Sequence, residues 1–214
     1  MALKAAIVPV TAFQQNCTLL FDETSRRGVV VDPGGDVPRI LDAIKQVGMT
    51  VEGILLTHGH LDHAGGADEL RTLLGVKITG PHLADKFLLD GITAQATQYG
   101  FADMRAVTPD SWLVEGDTVQ IAGATFNVLH CPGHSPGSVV FVNVDAGIAL
   151  VGDVLFQGSI GRTDFPYGNT EQLVTAVKTK LFPLGDDIVF ICGHGAASTF
   201  GDERRTNPFV GEGA

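Results

Sequence analysis

At 214 residues, 44% of them hydrophobic, with 27 glycines and a net charge of −10, the chain holds ample apolar material for a core and many tight turns. The acidic balance argues against a general nucleic-acid partner, because phosphate contacts need an excess of Lys and Arg. No apolar run approaches the roughly 18 residues of a membrane span, and the start, MALKAAIVPV, has one Lys, an interrupting Pro9 and no small-residue cleavage site, so no secretory signal is expected.

The length predicts one domain over 1–214. Arg27 to Val31 is a β-branched run stopped by Asp32-Pro33-Gly34-Gly35, which predicts a strand and then a loop. Val37, Ile40, Leu41, Ile44 and Val47 recur at helical spacing and Gly48 closes that helix. Val51 to Leu56 reads as the next strand, Gly66 to Leu74 as a helix, and Val76 to Thr79 as a further strand. Alternation of this kind predicts parallel pairing. Residues 84–110 are mixed, with helix in part. Four short strands follow at Thr118–Ile121, Thr125–Leu129, Ser138–Val144 and Ile148–Val151, separated by turns, the pattern of an antiparallel meander. A helix over Thr170–Leu181 and a strand over Ile188–Ile191 complete the reading. Two β-rich halves with interspersed helices suit two sheets face to face with helices outside.

The chemistry is concentrated in Thr57-His58-Gly59-His60-Leu61-Asp62-His63. Three of the seven histidines and an aspartate follow a buried strand directly, and Gly65-Gly66 turns the chain away behind them. Four ligand-type side chains are more than one open catalytic ion takes from a single loop, so two ions are expected to share it. His134 (in Cys131-Pro132-Gly133-His134), Asp153 (in Val151-Gly152-Asp153) and His194 (in Cys192-Gly193-His194-Gly195) each lie at the end of an apolar strand beside glycine. Singly they read as turn residues; together they read as ligands gathered on one face of a sheeted scaffold. The three cysteines, Cys17, Cys131 and Cys192, show no CxxC spacing, which points away from disulfides and toward a reducing cytoplasm. Cys131 and Cys192 lie beside candidate ligands, and their apolar neighbours mark those two as small core residues. His82 and His130 are left outside the ligand set.

The HxHxDH run with the later His, Asp and His resembles the metallo-β-lactamase superfamily. Pro9-Val10-Thr11-Ala12-Phe13, Val31-Asp32-Pro33-Gly34-Gly35-Asp36, Leu129–His134, Gly161-Arg162-Thr163-Asp164-Phe165 and Asn207-Pro208-Phe209 are similar to its glyoxalase II branch, and most of all to the short single-domain bacterial members. The resemblance implies an α/β fold, specifically a four-layer αββα sandwich. It implies two divalent metal ions, zinc first with iron or manganese as substitutes. His58, His60 and His134 would hold one, Asp62, His63 and His194 the other, and Asp153 would bridge them. It further implies hydrolysis of S-D-lactoylglutathione, or a related acyl thioester, by a bridging hydroxide that Asp62 helps to orient. Arg162 falls where related enzymes place a basic contact to glutathione, and Asp36, Asp164 and Asn16 are expected to orient loops. A cytoplasmic monomer acting on a small-molecule glutathione thioester, with no membrane or nucleic-acid partner, completes the expectation. Persulfide dioxygenases are a second resemblance: they share the run and the Gly-Arg-Thr-Asp-Phe stretch, and would hold one iron through His58, His134 and Asp153. A non-enzymatic metal-binding module would need a closed site.

Overall fold

The computed structural model describes residues 2–101 and 104–214. In chain order the elements are β1 (Leu3–Val10), β2 (Gln15–Asp22), β3 (Arg27–Val31), α1 (Val37–Val47), β4 (Thr50–Leu55), α2 (Leu61–Ala64), α3 (Ala67–Leu74), β5 (Ile78–Thr79) and α4 (Lys86–Tyr99). Then come β6 (Thr118–Ile121), β7 (Ala124–His130), β8 (Val139–Asn143), β9 (Ile148–Gly152), β10 (Leu155–Phe156), β11 (Ser159–Ile160), α5 (Thr170–Ala176), β12 (Val189–Cys192), β13 (Ser198–Thr199) and α6 (Phe200–Thr206).

Five strands in the order β1-β2-β3-β4-β5 form the first sheet, and six in the order β13-β12-β9-β8-β7-β6 form the second. The strand–helix alternation read from Arg27 onward does yield parallel pairs, β3 with β4 and β4 with β5. The run from β6 to β9 is the antiparallel meander. β12 returns parallel to β9.

The central strands are apolar on both faces because both faces are covered. In β2 and β3, Leu20, Val29 and Val31 point to the second sheet and meet Phe126, Val128, Phe141 and Ile191. Leu19, Phe21 and Val30 point the other way, onto Ile40, Ile44, Leu70, Leu89 and Ile92 of α1, α3 and α4. In β8 the same alternation turns Val140 and Val142 toward Leu173 and Val177, with Leu181 and Phe200 in the same outer cluster. Helix, sheet, sheet and helix thus form four layers, the αββα sandwich.

Several boundaries differ from the sequence reading for physical reasons. The β1–β2 hairpin went unread: β1 is half exposed and pairs with β2 alone, so its pattern is diluted and Pro9 is tolerated at the edge. The helix read from Gly66 is α3, preceded by the one-turn α2 that carries Asp62 and His63. The helix read over Thr170–Leu181 is α-helical to Ala176 and continues as a π turn over Val177–Leu181. The helical part of 84–110 is α4, and α6, read as no element, follows an N-cap in which Thr199 accepts from the Asp202 amide.

Candidate metal centre

The ligand-type residues come from the ends of strands in both sheets. β4 of the first sheet leads into His58 and His60, and the first turn of α2 adds Asp62 and His63. From the second sheet, the loop after β7 supplies His134, the end of β9 Asp153, and the end of β12 His194. All seven side chains converge on one cluster. His58 Nε2 and His134 Nε2 lie 3.0 and 2.9 Å from His60 Nδ1. Three ring nitrogens this close repel one another through their lone pairs unless a proton or a cation lies among them. On the other side, His194 Nε2 is 3.2 Å from Asp62 Oδ2 and His63 Nε2 is 3.9 Å from it. Asp153 stands between the two groups, with Oδ1 3.3 Å from His63 Nε2 and Oδ2 3.5 and 3.7 Å from His134 and His194 Nε2. His63 Nε2 and Asp153 Oδ1 are buried with no hydrogen-bond partner. Buried polar atoms are rarely left so, and their aim into the cluster fits a cation. The His/Asp set is a binuclear metal-binding site.

Each imidazole is held by its other nitrogen. His63 Nδ1–H donates to Asp32 Oδ2 at 2.9 Å. His58 Nδ1–H donates to Thr57 Oγ1 at 3.0 Å, and that hydroxyl donates onward to Asp32 at 2.5 Å. His134 Nδ1–H and His194 Nδ1–H donate to the carbonyls of Arg162 (2.8 Å) and Phe13 (3.2 Å). His60 Nε2 is paired with the Tyr167 phenol at 2.8 Å. The acceptors behind the other four imidazoles fix their tautomers and leave the inward nitrogen as a lone pair. Asp32 also lies within ligand distance of His58 and His63, but Thr57 and His63 Nδ1 occupy both of its oxygens, one through the Thr57 amide at 2.7 Å. Its place is behind the imidazoles.

Three further side chains hold the loops. Asp85 is fully buried and accepts from the Gly59 amide (2.8 Å), the Gly137 amide (2.6 Å) and Ser135 Oγ (2.7 Å), clamping the His58–His60 loop to the His134 loop. Asn16 Nδ2 donates to the carbonyls of Cys192 and Gly195 and fixes the turn that carries His194. Asp36 accepts from the Thr11 amide at 2.7 Å.

Burial pushes the His58 and His134 imidazoles down, and that of His60 down to about 3, so these rings are neutral and ready to ligate. Burial acts in the same direction on His63 and His194, but the carboxylates of Asp153 and Asp62 override it and raise both. Burial alone would raise Asp153; His63 beside it holds the carboxyl far below the usual range. Loading the site therefore displaces protons from His63 and His194. Burial raises the thiols of Cys131 and Cys192 to about 12 and about 11, which leaves both protonated and poor nucleophiles.

A cleft of about 510 Å³ opens over the cluster, walled by Phe13, Gln95, Tyr99, Phe156, Phe165 and Tyr167. Arg162 reaches this cleft, but both arms of its guanidinium are held at 2.7 Å by Asp164, and it lies 4.5 Å from the centre of the Phe165 ring. His82 and His130 stack on each other, 4.2 Å between ring centres, away from the cluster.

The family model for the metallo-β-lactamase superfamily matches residues 10–194. The chain belongs to that superfamily. It is 46% identical to hydroxyacylglutathione hydrolase GloC of Haemophilus influenzae over 205 residues, 95% of this chain and 96% of that one. Among solved structures it is similar to the BLEG-1 B3 metallo-beta-lactamase (TM-score 0.87, 32% identity, 98% and 99% of the two chains covered). It is likewise similar to TTHA1623 in a di-iron-bound form (TM-score 0.85, 35% identity, 95% and 99% covered). The full-length match places the chain with the single-domain members related to GloC, within the glyoxalase II branch.

Gly193 gives this superfamily site a direct test. A Cβ there would overlap Asp153 Oδ1 and the His63 ring. Gly193→Ala is expected to lower the metal content of purified protein while the far-ultraviolet circular dichroism stays that of the wild type. Full metal content would mean that the Asp153–His63 contact does not shape the site.

Neither Asp85 nor Tyr167 is marked as a site residue by the sequence. Asp85 lies in the stretch with the least readable periodicity, and its partners are 26, 50 and 52 positions away. Tyr167 approaches His60 from 107 positions away, and no local pattern signals either contact.

Proposed function

We propose that this chain is a metal-dependent thioester hydrolase of the glyoxalase II type, cleaving S-D-lactoylglutathione or a related acyl thioester to the free acid and thiol. The observation that carries the reading is the placing of Asp153 between two ligand trios, His58/His60/His134 and Asp62/His63/His194. We assign one ion to each trio and the bridging role to Asp153, with zinc as the metal. When bound, two such ions polarise a carbonyl and bring the pKa of water toward neutrality.

The chain's own residues do the rest. Asp62, ionised and next to His194, is placed to orient the attacking water by accepting its proton in a hydrogen bond. Phe13, Tyr99, Phe165 and Tyr167 narrow the cleft and limit solvent around the reacting carbonyl. The leaving thiolate is stable as an anion, so no separate acid is needed, and the buried, protonated Cys131 and Cys192 supply no rival nucleophile. Arg162 is the proposed contact for a substrate carboxylate, which would have to compete with Asp164 for the guanidinium fork. Three buried free cysteines fit a reducing cytoplasm, and no helix among the described residues is long and apolar enough to cross a membrane. We take the chain as one domain over 1–214 acting as a monomer.

The test is a metal count per chain paired with two assays, S-D-lactoylglutathione hydrolysis and oxygen uptake with glutathione persulfide. Two metals with thioester turnover are expected. One iron per chain with oxygen consumption would make the chain a dioxygenase instead, and two metals with no thioester turnover would remove the substrate assignment.

A further inference from the structure

Five outer partners hold the five imidazoles, and four of them are ordinary scaffold: the buried side chains of Thr57 and Asp32 and the backbone carbonyls of Arg162 and Phe13. The fifth differs in kind. Tyr167 is a half-buried side chain on the wall of the cleft, and its phenol oxygen is 2.8 Å from His60 Nε2. Its ring is stacked on Phe165, 5.3 Å between centres and 13° between planes, with the edge of Phe87 at 5.3 Å on another side. These contacts hold the phenol where it is independently of the histidine.

His60 is also the imidazole whose tautomer is most exposed to error. Its Nδ1 lies about equally close to His58 Nε2 and His134 Nε2, at 3.0 and 2.9 Å. With no acceptor at Nε2, the neutral ring would lower its energy by carrying its proton on Nδ1 and donating it to either neighbour. That tautomer places a proton where the ion of the three-histidine group belongs. An acceptor at Nε2 reverses the preference.

We propose that Tyr167 is a positioning residue for the three-histidine side of the centre, accepting the His60 Nε2 proton so that Nδ1 faces inward as a lone pair. The inference rests on the two-ion reading proposed above but not on the identity of the substrate.

Tyr167→Phe keeps the ring stack and removes only the oxygen. Zinc affinity would be measured for wild type and variant by competition with a chromophoric chelator, alongside kcat and KM over a range of free zinc. Loss of a partner behind a ligating histidine costs about 10- to 100-fold in affinity. One of the two ions is expected to loosen by that factor and the other to stay at the wild-type value. kcat should be restored by excess zinc, and KM should move by less than about twofold on the scale set by that loss. Wild-type affinity for both ions with a raised KM would overturn the proposal and make Tyr167 a substrate contact. Equal loosening of both ions would overturn it as well, by showing a general disturbance. Wild-type protein that holds two zinc ions without hydrolysing thioesters would defeat the hydrolase reading alone, since the affinity comparison needs no turnover.

Discussion

Alanine in place of Asp153 is expected to lower thioester hydrolysis by more than about 100-fold, beyond the range for losing a residue that only supports a ligand. Asp153 offers its carboxylate to both trios, with Oδ1 facing His63 and Oδ2 facing His134 and His194. It is also the negative charge that His63 answers, in a place where burial would otherwise neutralise the carboxyl. Without it, the site would lose the one carboxylate charge that lies between the His134 and His63/His194 nitrogens. Metal content should fall below two per chain along with activity, and adding metal should recover little. Asp153→Asn, which keeps the shape and loses the charge, separates the two contributions. If Asp153→Ala retained two tightly held metals and near-normal turnover, the bridging assignment would be wrong.

The second large effect is on stability. Asp85→Ala strands the Gly59 and Gly137 amides, both buried and both without another acceptor at that position, at roughly 1–3 kcal/mol each. A loss of about 2–6 kcal/mol is a large share of a domain's margin. The same carboxyl gives a pH signature. Burial raises it from 3.8 to about 6, so between those values the folded chain binds a proton that the unfolded chain releases. Stability from this source is present toward the acid end of that window and is lost as pH rises through 6, by about 3 kcal/mol in all. Denaturant midpoints of metal-free wild type and Asp85→Asn, compared from pH 4 to 8, isolate it because every other titrating group is shared. The advantage of the wild type should shrink with rising pH; a constant difference would show that Asp85 does not titrate there.

What could be read from the sequence was what is local. Val37 to Val47 forms a helix with its apolar residues on one face and its C-terminal glycine left-handed, at φ 67°, and both features are written within one dozen residues. The ligand-type residues were equally legible, since each pairs an apolar strand with a glycine and a polar residue at its end. The outer partners were not. Asp85 is an aspartate in a mixed stretch until folding brings two loops to its two oxygens, and Tyr167 is one of several aromatics until His60 arrives beside it. Arg162 illustrates the intermediate case. Its position at the cleft was foreseeable by resemblance, while its engagement by Asp164, two residues on, became visible only in the folded loop.

That both sheets donate to the centre bears on the order of events during synthesis. Chains grow from the N-terminus, and the first sheet with its four donors is complete well before the second begins to pair. Residues 58–63 then hold two members of each trio; the third members arrive at 134 and 194, and the carboxylate between them at 153. A nascent chain carries half of a chelator on a sheet whose inner face is still uncovered. Metal capture at full strength must therefore wait until β12 has slotted beside β9, which makes the loaded centre a late lock on a nearly finished molecule.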